Sequence, residues 1–473
     1  MEFVSVFDIF KIGVGPSSSH TLGPWKAARS FVSRLADMGE KASLGHVEVS
    51  LYGSLSLTGK GHATDLAVIM GLANHNPETV DTAVIFSIID TIRQQKYIIL
   101  PNQIRVNFDP DRHIFFKETF LEYHANGLLF TWIGNDGEVI SDVYYSVGGG
   151  FIIREGDAPT EAHQKSLYPF PIQTSEELLR YCRETGLTVS GVVEKNELVD
   201  RSLTRYKQDV LRIWETMLNS MYTGCHTEGV LPGALAVKRR SYPLLKMLLP
   251  SHLTYHDPAS WLEAIRQAPV DFQKIFKWVS TFAISVNEVN AAFGRVVTAP
   301  TNGSAGVIPA VLMYYLSFVN KKAGTDEIVR FLACASEIGS IFKKGSTLSA
   351  AMGGCQAEIG VSSAMAAAGL TEVLGGSPEQ CIIAAEIAME HHLGMTCDPI
   401  GGLVQIPCIE RNSMGAIKAI NAAEMAVDRD PNEVKVPLDD VVATMWATAR
   451  DMNSKYKETS EGGLATTVNI IDC

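Results

Sequence analysis

The sequence has no long hydrophobic run, and this absence limits the class of protein that it encodes. Its longest largely apolar stretch covers residues 307–319 and contains Pro309, so it is too short to span a bilayer. The apolar stretch at the start of the chain contains Glu2, Asp8 and Lys11, which is not the pattern of a signal peptide. We therefore expect a cytoplasmic protein with no membrane partner.

Positive charge is also scarce. The chain has 40 Lys and Arg residues against 52 Asp and Glu residues, which gives a formal net charge of -12. A nucleic-acid surface requires clustered Lys and Arg, so we expect no nucleic-acid partner. The hydrophobic fraction of 46% and the charged fraction of 19% are typical of a folded globular protein, and 473 residues are enough for at least two domains.

The first third of the chain is predicted to form an α+β N-terminal domain over residues 1–153. Its strand-like segments alternate between apolar and polar residues. The last two segments are separated by Gly134-Asn-Asp-Gly, which is a strong hairpin signal. The predicted strands are residues 46–55, 97–108, 128–133 and 138–146.

The rest of the chain is predicted to form an all-α catalytic domain over residues 174–473. Residues 154–173 contain several prolines among mixed charges, and we expect a linker there. Thr174 followed by Glu177 has the pattern of a capping box, which predicts the start of a helix.

Two helical stretches of the second domain, residues 347–376 and 379–392, are rich in Ala, Gly, Ser and Met. Small side chains allow helix backbones to approach closely, so we place these stretches at the centre of the helical domain.

The chain has eight cysteines but lacks any Cys-x-x-Cys pair, and a disulfide framework is not expected in a long cytosolic chain. Cys355, Cys397 and Cys408 stand out because each lies close to glycine or proline in sequence. Three thiolates that converge from loops suit an iron–sulfur cluster that keeps one iron open. Free cysteine is also among the most buried residue types, so from spacing alone simple packing remains an equal alternative.

Three polar loops offer further candidate site residues. The loop at 15–21 precedes a helix, where hydroxyl groups and free backbone N–H groups can bind a carboxylate, and N-capping alone would need one serine and not three. The loop at 59–65 places a histidine and a lysine between glycines, and the loop at 299–306 has the form of a nest that enters a helix. The candidates in these loops are Ser17, Ser18, Ser19, His20, Lys60, His62, Thr64, Asn302, Gly303 and Ser304.

These loops and the three cysteine contexts resemble those of the bacterial iron–sulfur L-serine dehydratases, in the form that fuses both domains in one chain. The resemblance extends from about residue 5 to the C-terminus. One departure is Leu231-Pro-Gly-Ala, where the family pattern has a second glycine. The N-terminal domain is similar to a regulatory substrate-binding domain of phosphoglycerate dehydrogenases.

The resemblance implies a cofactor and an assembly. It implies that Cys355, Cys397 and Cys408 hold a [4Fe-4S] cluster with one free iron, that no pyridoxal phosphate is needed, and that the protein is a homodimer. Its activity would be the conversion of L-serine to pyruvate and ammonia by elimination of water.

The residues allow a mechanism to be written for this elimination. The open iron would take the substrate hydroxyl. His62 is the preferred base for the Cα proton, and Lys60 is the competing base if burial lowers its pKa. His20 and the hydroxyl and amide groups of the three loops would hold the carboxylate and the amine of the substrate.

Two alternatives fit the same motifs. An iron–sulfur lyase for threonine or cysteine would differ mainly in pocket volume, since one methyl group is worth only about 1–3 kcal/mol of discrimination. A non-catalytic amino-acid or redox sensor would bind serine without turnover. Because His62 and the polar loops are present, the sequence favours catalysis over sensing.

The last residue, Cys473, carries a thiol and the terminal α-carboxylate on one carbon skeleton, as serine carries a hydroxyl and a carboxylate. We therefore expect Cys473 to be the fourth iron ligand at rest, displaced by substrate. Ile470 and Ile471 are apolar, which is not typical of a frayed terminus, although fraying is the usual behaviour of chain ends.

Overall fold

The computed structural model describes residues 3–157 and 168–468. It has an N-terminal region of helices and strands followed by a mostly helical region, which confirms the predicted fold class. Each region has its own large hydrophobic core. Within the described residues no helix is long and apolar enough to cross a membrane.

The N-terminal region is built on a mixed sheet of seven strands. Six of them lie in the order β3-β4-β2-β6-β7-β8, and β5 pairs with β2 beside that path. The strands of the described residues are β1 (Ile12–Val14), β2 (Gly45–Tyr52), β3 (Tyr97–Ile99), β4 (Arg105–Asn107), β5 (Ile114–Lys117), β6 (Gly127–Gly134), β7 (Val139–Ser146), β8 (Ile152–Arg154) and β9 (Arg295–Val297).

Buried and partly exposed residues alternate along the central strand β2, so the sheet contributes one of its faces to the core of the N-terminal region. Val47, Val49 and Leu51 are fully buried while their neighbours are partly exposed, so one face of the strand packs inward. Helices cover that face. The helices of this region are α1 (Val6–Ile9), α2 (Gly23–Ala36), α3 (Ser54–Leu57), α4 (Thr64–Leu72), α5 (Ile85–Gln95) and α6 (Pro110–His113).

The predicted hairpin is present. Strands β6 and β7 are antiparallel, and the turn between them closes with Gly137 at φ +86°. The prediction of one strand over 97–108 was wrong, because this segment forms two short antiparallel strands, β3 and β4. Gln103 adopts a positive φ of 68° in the turn between them.

The second region consists almost entirely of helices, with the short strand β9 as an exception to the predicted all-α composition. Its helices are α7 (Ser175–Thr185), α8 (Val189–Glu197), α9 (Leu203–Cys225), α10 (Ser241–Leu248), α11 (Pro258–Gln267), α12 (Phe272–Asn290), α13 (Val307–Tyr314), α14 (Thr325–Gly345), α15 (Ala350–Gly353), α16 (Ile359–Val373), α17 (Pro378–Glu390), α18 (Cys408–Val427), α19 (Leu438–Asp451) and α20 (Leu464–Thr467).

Helix α16 lies at the centre of this region, in contact with α13, α14, α17 and α18, as its small residues predict. A Cβ on Gly369 would lie 2.8 Å from the backbone oxygen of Phe331, so only glycine permits the observed approach to α14. The stretch 347–376 is not one helix. It breaks at Gly354, which has a φ of +72°, and this break separates α15 from α16.

The start of the chain connects the two regions. Val6 and Ile9 of α1 are buried in the core of the helical region, although the predicted boundary assigns them to the first domain. Strand β1 then pairs antiparallel with β9.

At the start of α7, Thr174 accepts a hydrogen bond from the Glu177 N–H, but the Glu177 carboxylate caps the N–H of Gln173 instead of that of Thr174.

Candidate active site

The predicted polar loops and cysteines meet between the two regions. The first loop forms a short π-helical turn, Ser18–Leu22, that continues directly into α2. The second loop precedes α4 and touches the helical region, where a Cβ on Gly61 would lie 2.5 Å from the backbone oxygen of Gly402. The third loop enters α13, and a Cβ on Gly303 would lie 2.8 Å from Glu358 Oε2. Close approaches at glycine thus bring the loops together.

His20 is fully buried, and its hydrogen bonds define its tautomer. Ser54 Oγ donates its proton to the carbonyl of Glu458, so it must accept from His20 Nε2, 3.0 Å away. His20 Nδ1 is then an acceptor for the hydroxyl of Ser19 at 2.9 Å. Burial lowers the pKa of His20 to about 4, which keeps the ring neutral at physiological pH.

His62 is also buried, and its ring lies 4.5 Å from that of His20. Its Nδ1 lies 3.0 Å from the carbonyl oxygen of Thr58 and must donate to it, since a carbonyl only accepts. In the neutral ring the lone pair is therefore on Nε2. That atom faces the Glu458 carboxylate at 3.4 Å, so the tautomer leaves a basic nitrogen pointing into the site.

Glu458 is the central residue that sequence analysis missed. One of its carboxylate oxygens lies 3.4 Å from both His20 Nδ1 and His62 Nε2. Burial alone would raise the pKa of Glu458, but the two imidazoles outweigh it and hold that pKa below its ordinary value. A buried carboxylate between two imidazoles can stabilise a proton on either ring.

The backbone that carries Glu458 is tied to one of the cysteines. Cys397 donates its N–H to the oxygen of Tyr456 and accepts from the Glu458 N–H, each at 2.8 Å. These two bonds make a short parallel bridge between segments that are distant in sequence. They fix the carboxylate beside the thiols.

The three serines of the first loop have different surroundings. Ser17 caps the turn by accepting from the His20 N–H at 3.1 Å, and its hydroxyl lies 3.2 Å from that of Ser19. Ser18 is buried within the same turn. One serine is thus used for capping, and Ser19 is engaged with the imidazole, so the turn is more than a helix cap.

The loop before α13 contributes a buried amide. Asn302 donates to the oxygen of Val14 and to Asn290 Oδ1, both at 3.2 Å. Its own Oδ1 has no hydrogen-bond partner within the described residues, and the same holds for Thr64 Oγ1. Ser304 instead bonds within its own loop, to Ala299 O at 3.1 Å. Asn302 and Thr64 therefore offer buried acceptors to a ligand.

Cys355, Cys397 and Cys408 are all buried and share a cationic neighbour, Arg411. Cys355 lies in the turn at the break before α16, Cys397 in the loop after α17, and Cys408 is the first residue of α18. The ligand atoms of Cys355, Glu358 and Cys397 lie within 4.8 Å of one another. This arrangement can hold a metal group.

Arg411, one turn into α18, faces these thiols. It donates to the backbone oxygen of Thr396 at 2.6 Å, which aims it at the thiols. A hydrogen bond with Cys397 and the Arg411 charge together lower the pKa of Cys355 to about 7. The three thiol groups in turn raise the pKa of Arg411. Sequence analysis also missed this residue, although it lies three positions after Cys408.

One predicted residue is not brought to this site. Lys60 is exposed, with its amine 5.6 Å from the centre of the Phe116 ring, so the burial required for it to act as a base is lacking. Cys473 lies outside the described residues.

A second buried grouping, Cys334, Glu372 and Cys381, could also hold a metal ion, but it lies between helices of the core.

The fold and site define a two-domain enzyme in which buried acid–base groups stand beside thiols that can hold a metal group. The family model of the serine dehydratase beta chain matches residues 5–157, and that of the serine dehydratase alpha chain matches residues 184–465. The chain belongs to the serine dehydratase family.

Relatives align with almost the whole chain. L-serine dehydratase 2 of Escherichia coli is 48% identical over 471 residues, which cover 99% of this chain and 100% of the relative. L-serine dehydratase of Streptomyces coelicolor is 46% identical over 475 residues, with the same two coverages. L-serine dehydratase of Helicobacter pylori is 40% identical over 474 residues, again with coverages of 99% and 100%.

Proposed function

We propose that this protein is an L-serine dehydratase, which eliminates water from L-serine and releases pyruvate and ammonia. The observation that carries the proposal is the buried group of His20, Glu458 and His62 beside three cysteines. Elimination from serine requires a base for the weakly acidic Cα proton and an electrophile for the hydroxyl group. The buried histidines and Glu458 match the requirement for a base, and the three cysteines, which can hold a metal group, match the requirement for an electrophile.

The proposed cofactor is a [4Fe-4S] cluster held by Cys355, Cys397 and Cys408, and the proposal involves no pyridoxal phosphate. Three buried sulfur donors from separate segments suit such a cluster, and Arg411 offsets part of the negative charge of the thiolates. When bound, the cluster would supply a Lewis acid for the hydroxyl group at the iron that Cys355, Cys397 and Cys408 leave free.

His62 is the proposed base. Its Nδ1–H bond to Thr58 holds the ring in place and makes Nε2, which faces Glu458, the ring nitrogen that would accept the Cα proton. Glu458 then stabilises the positive charge that the ring acquires. His20 remains neutral and positions the hydroxyl of Ser19.

Substrate binding is assigned to the surrounding loops. The hydroxyl groups of Ser17, Ser18 and Ser19 would donate to the substrate carboxylate at the start of α2, where the helix dipole favours an anion. Asn302 and Thr64 would accept from the substrate ammonium through oxygen atoms that have no partner in the described part of the chain. Gly303 and Ser304 would shape the loop that carries Asn302.

The function is tested by an anaerobic assay of the reconstituted holoenzyme with L-serine, in which pyruvate and ammonia are measured together. Equal release of both products is expected. L-threonine and L-cysteine serve as alternative substrates, and a preference for either would show that the lyase acts on another amino acid. Saturable serine binding without either product would instead identify a sensor.

Glu458→Gln is expected to lower kcat by about 10²-fold, because the amide cannot stabilise a protonated His62 as the carboxylate does. The cluster spectrum should be unchanged, since the backbone bridge to Cys397 does not depend on the side chain. Glu461→Gln, three residues away and exposed, is the matched control and should keep full activity. Equal activities of the two variants would contradict the role of Glu458.

The role of Cys473 as a resting iron ligand remains a prediction. Cys473→Ala should raise the rate of cluster loss in air and remove any lag in the response to serine, because substrate no longer competes with a tethered thiolate. The absorbance of the cluster and progress curves of pyruvate release measure both effects. An unchanged spectrum and an unchanged serine response would place the thiol elsewhere.

The resemblance to the family also leads us to propose a cytoplasmic homodimer. Sedimentation of the holoenzyme at two protein concentrations tests the assembly. A single species with the mass of one 51.5 kDa chain would contradict it.

A further inference from the structure

A cavity of about 540 Å³ lies between the two regions, and none of the proposed site residues lines it. Its walls carry six basic side chains and two carboxylates, an excess of four positive charges in a chain whose net charge is -12. The charged lining residues are Lys11, Lys26, Arg29, Glu78, Arg201, Arg205, Asp209 and Arg212.

Part of this positive charge is balanced within the cavity. Arg205 pairs with Asp209, and Arg212 pairs with Glu78, each at 2.8 Å. Both pairs lie on the rim formed by α9, where the side chains of the two arginines are largely exposed. Arg201 pairs with Glu197, which lies outside the lining, at 3.1 Å, so among the described residues the positive charge that stays unpaired is that of Lys11, Lys26 and Arg29.

Lys11, Lys26 and Arg29 have no carboxylate within 4.0 Å among residues 3–157 and 168–468. Lys11 donates to the backbone oxygen of Gly149 at 3.2 Å, and Lys26 donates to that of Gly150 at 3.3 Å. Arg29 has a buried Nε with no hydrogen-bond partner in the same residues. Burial lowers the pKa of both lysines, so bringing an anion near them would be favourable.

The position of the cavity connects it to both halves of the molecule. Lys26 and Arg29 lie on α2, which continues from the turn that carries Ser18 and Ser19. Lys11 precedes β1, and its N–H donates to Thr298 Oγ1 at 2.9 Å, just before the loop that carries Asn302. A ligand here would contact both domains at the base of two site loops.

We propose that this cavity is a binding site for a small multivalent oxyanion, carrying phosphate or several carboxylate groups, and that it is separate from the catalytic site. The arginine guanidinium offers paired N–H donors that match phosphate and carboxylate oxygens. Two amines and a guanidinium that have no carboxylate partner in the described part of the chain supply the charge, and the volume admits a ligand of metabolite size.

The test is isothermal titration of the reconstituted holoenzyme with inorganic phosphate and, separately, with tricarballylate, at an ionic strength held constant with chloride. Saturable binding of one anion per chain is expected for at least one probe. The two arms distinguish a phosphate ligand from a polycarboxylate. Arg29→Gln and Lys26→Gln should each weaken binding at least tenfold.

Arg180→Gln is the matched control, because Arg180 is half exposed on α7, pairs with Glu184 at 3.5 Å and does not line the cavity. It should leave binding unchanged. If the Arg29→Gln variant does not fold, Arg205→Gln on the exposed rim is measured in its place. The Arg205→Gln variant is expected to bind the anion severalfold more weakly than the wild type. Binding of neither probe beyond chloride, or equal binding by the wild type and both deep variants, would overturn the proposal.

Discussion

Cys355→Ala, Cys397→Ala and Cys408→Ala are each expected to remove the visible absorbance of the cluster and the turnover of serine together. The three thiols come from three separate segments, so no neighbouring cysteine can replace a lost one without movement of the backbone. Only two of these three thiolates would then remain to hold the cluster, and it would be lost. Iron and sulfide content, measured anaerobically beside the absorbance, gives the result directly.

Buried cysteines elsewhere provide the controls for this experiment. Cys225→Ala, on α9, and Cys381→Ala, in the second grouping with Cys334 and Glu372, should keep full iron content and activity. Retention of the cluster in any of the three first variants would contradict the ligand assignment. Loss of iron in Cys381→Ala alone would transfer the metal site to the second grouping.

The parts of the fold that sequence predicted are those determined by local chemistry. Gly137 allows the positive φ that the hairpin turn requires, so the hairpin was predicted with its flanking strands. The segment 97–108 was predicted as one strand, although Pro101-Asn102 inside it is a local turn signal. The turn closes with a hydrogen bond from the Gln103 N–H to the oxygen of Leu100, and Gln103 adopts a positive φ there.

The site was predicted to the extent that its residues lie in glycine-rich loops. His20, His62 and Asn302 all belong to such loops, and the structure brings their loops together. Glu458 lies in a polar stretch whose local pattern is typical of an exposed turn. It is buried because Ser54, which is 404 residues away, and Cys397 bind its backbone. Burial that depends on such distant partners leaves no signal in the local sequence.

Lys60 is the reverse case of Glu458, because its local sequence suggested a site residue but its side chain is exposed. It shares a glycine-rich loop with His62, and the two residues were therefore weighed as alternative bases. The loop turns between them, so that His62 is 1% exposed while Lys60 faces solvent. The two side chains are two residues apart in sequence, but they differ in burial, which is the property that the proposed role as a base requires.

His62→Ala is expected to lower kcat by about 10²–10⁴-fold, the range for a positioned general base. The residue contributes no thiol and lies on the first domain, so the cluster spectrum should match that of the wild type. Exchange of the Cα proton of serine with deuterated solvent should fall in parallel with kcat, since both require the proton to reach Nε2. NMR of recovered serine and the pyruvate assay measure the two rates.

Lys60→Ala is the matched control, because it removes an ionisable side chain from the same loop without entering the buried site. It should keep near-normal kcat and near-normal exchange. Near-normal turnover in His62→Ala together with a large loss in Lys60→Ala would reverse the assignment, and would mean that the loop rearranges to bury the lysine when substrate binds. Loss of turnover with retained exchange in His62→Ala would instead show that His62 acts after the proton is removed.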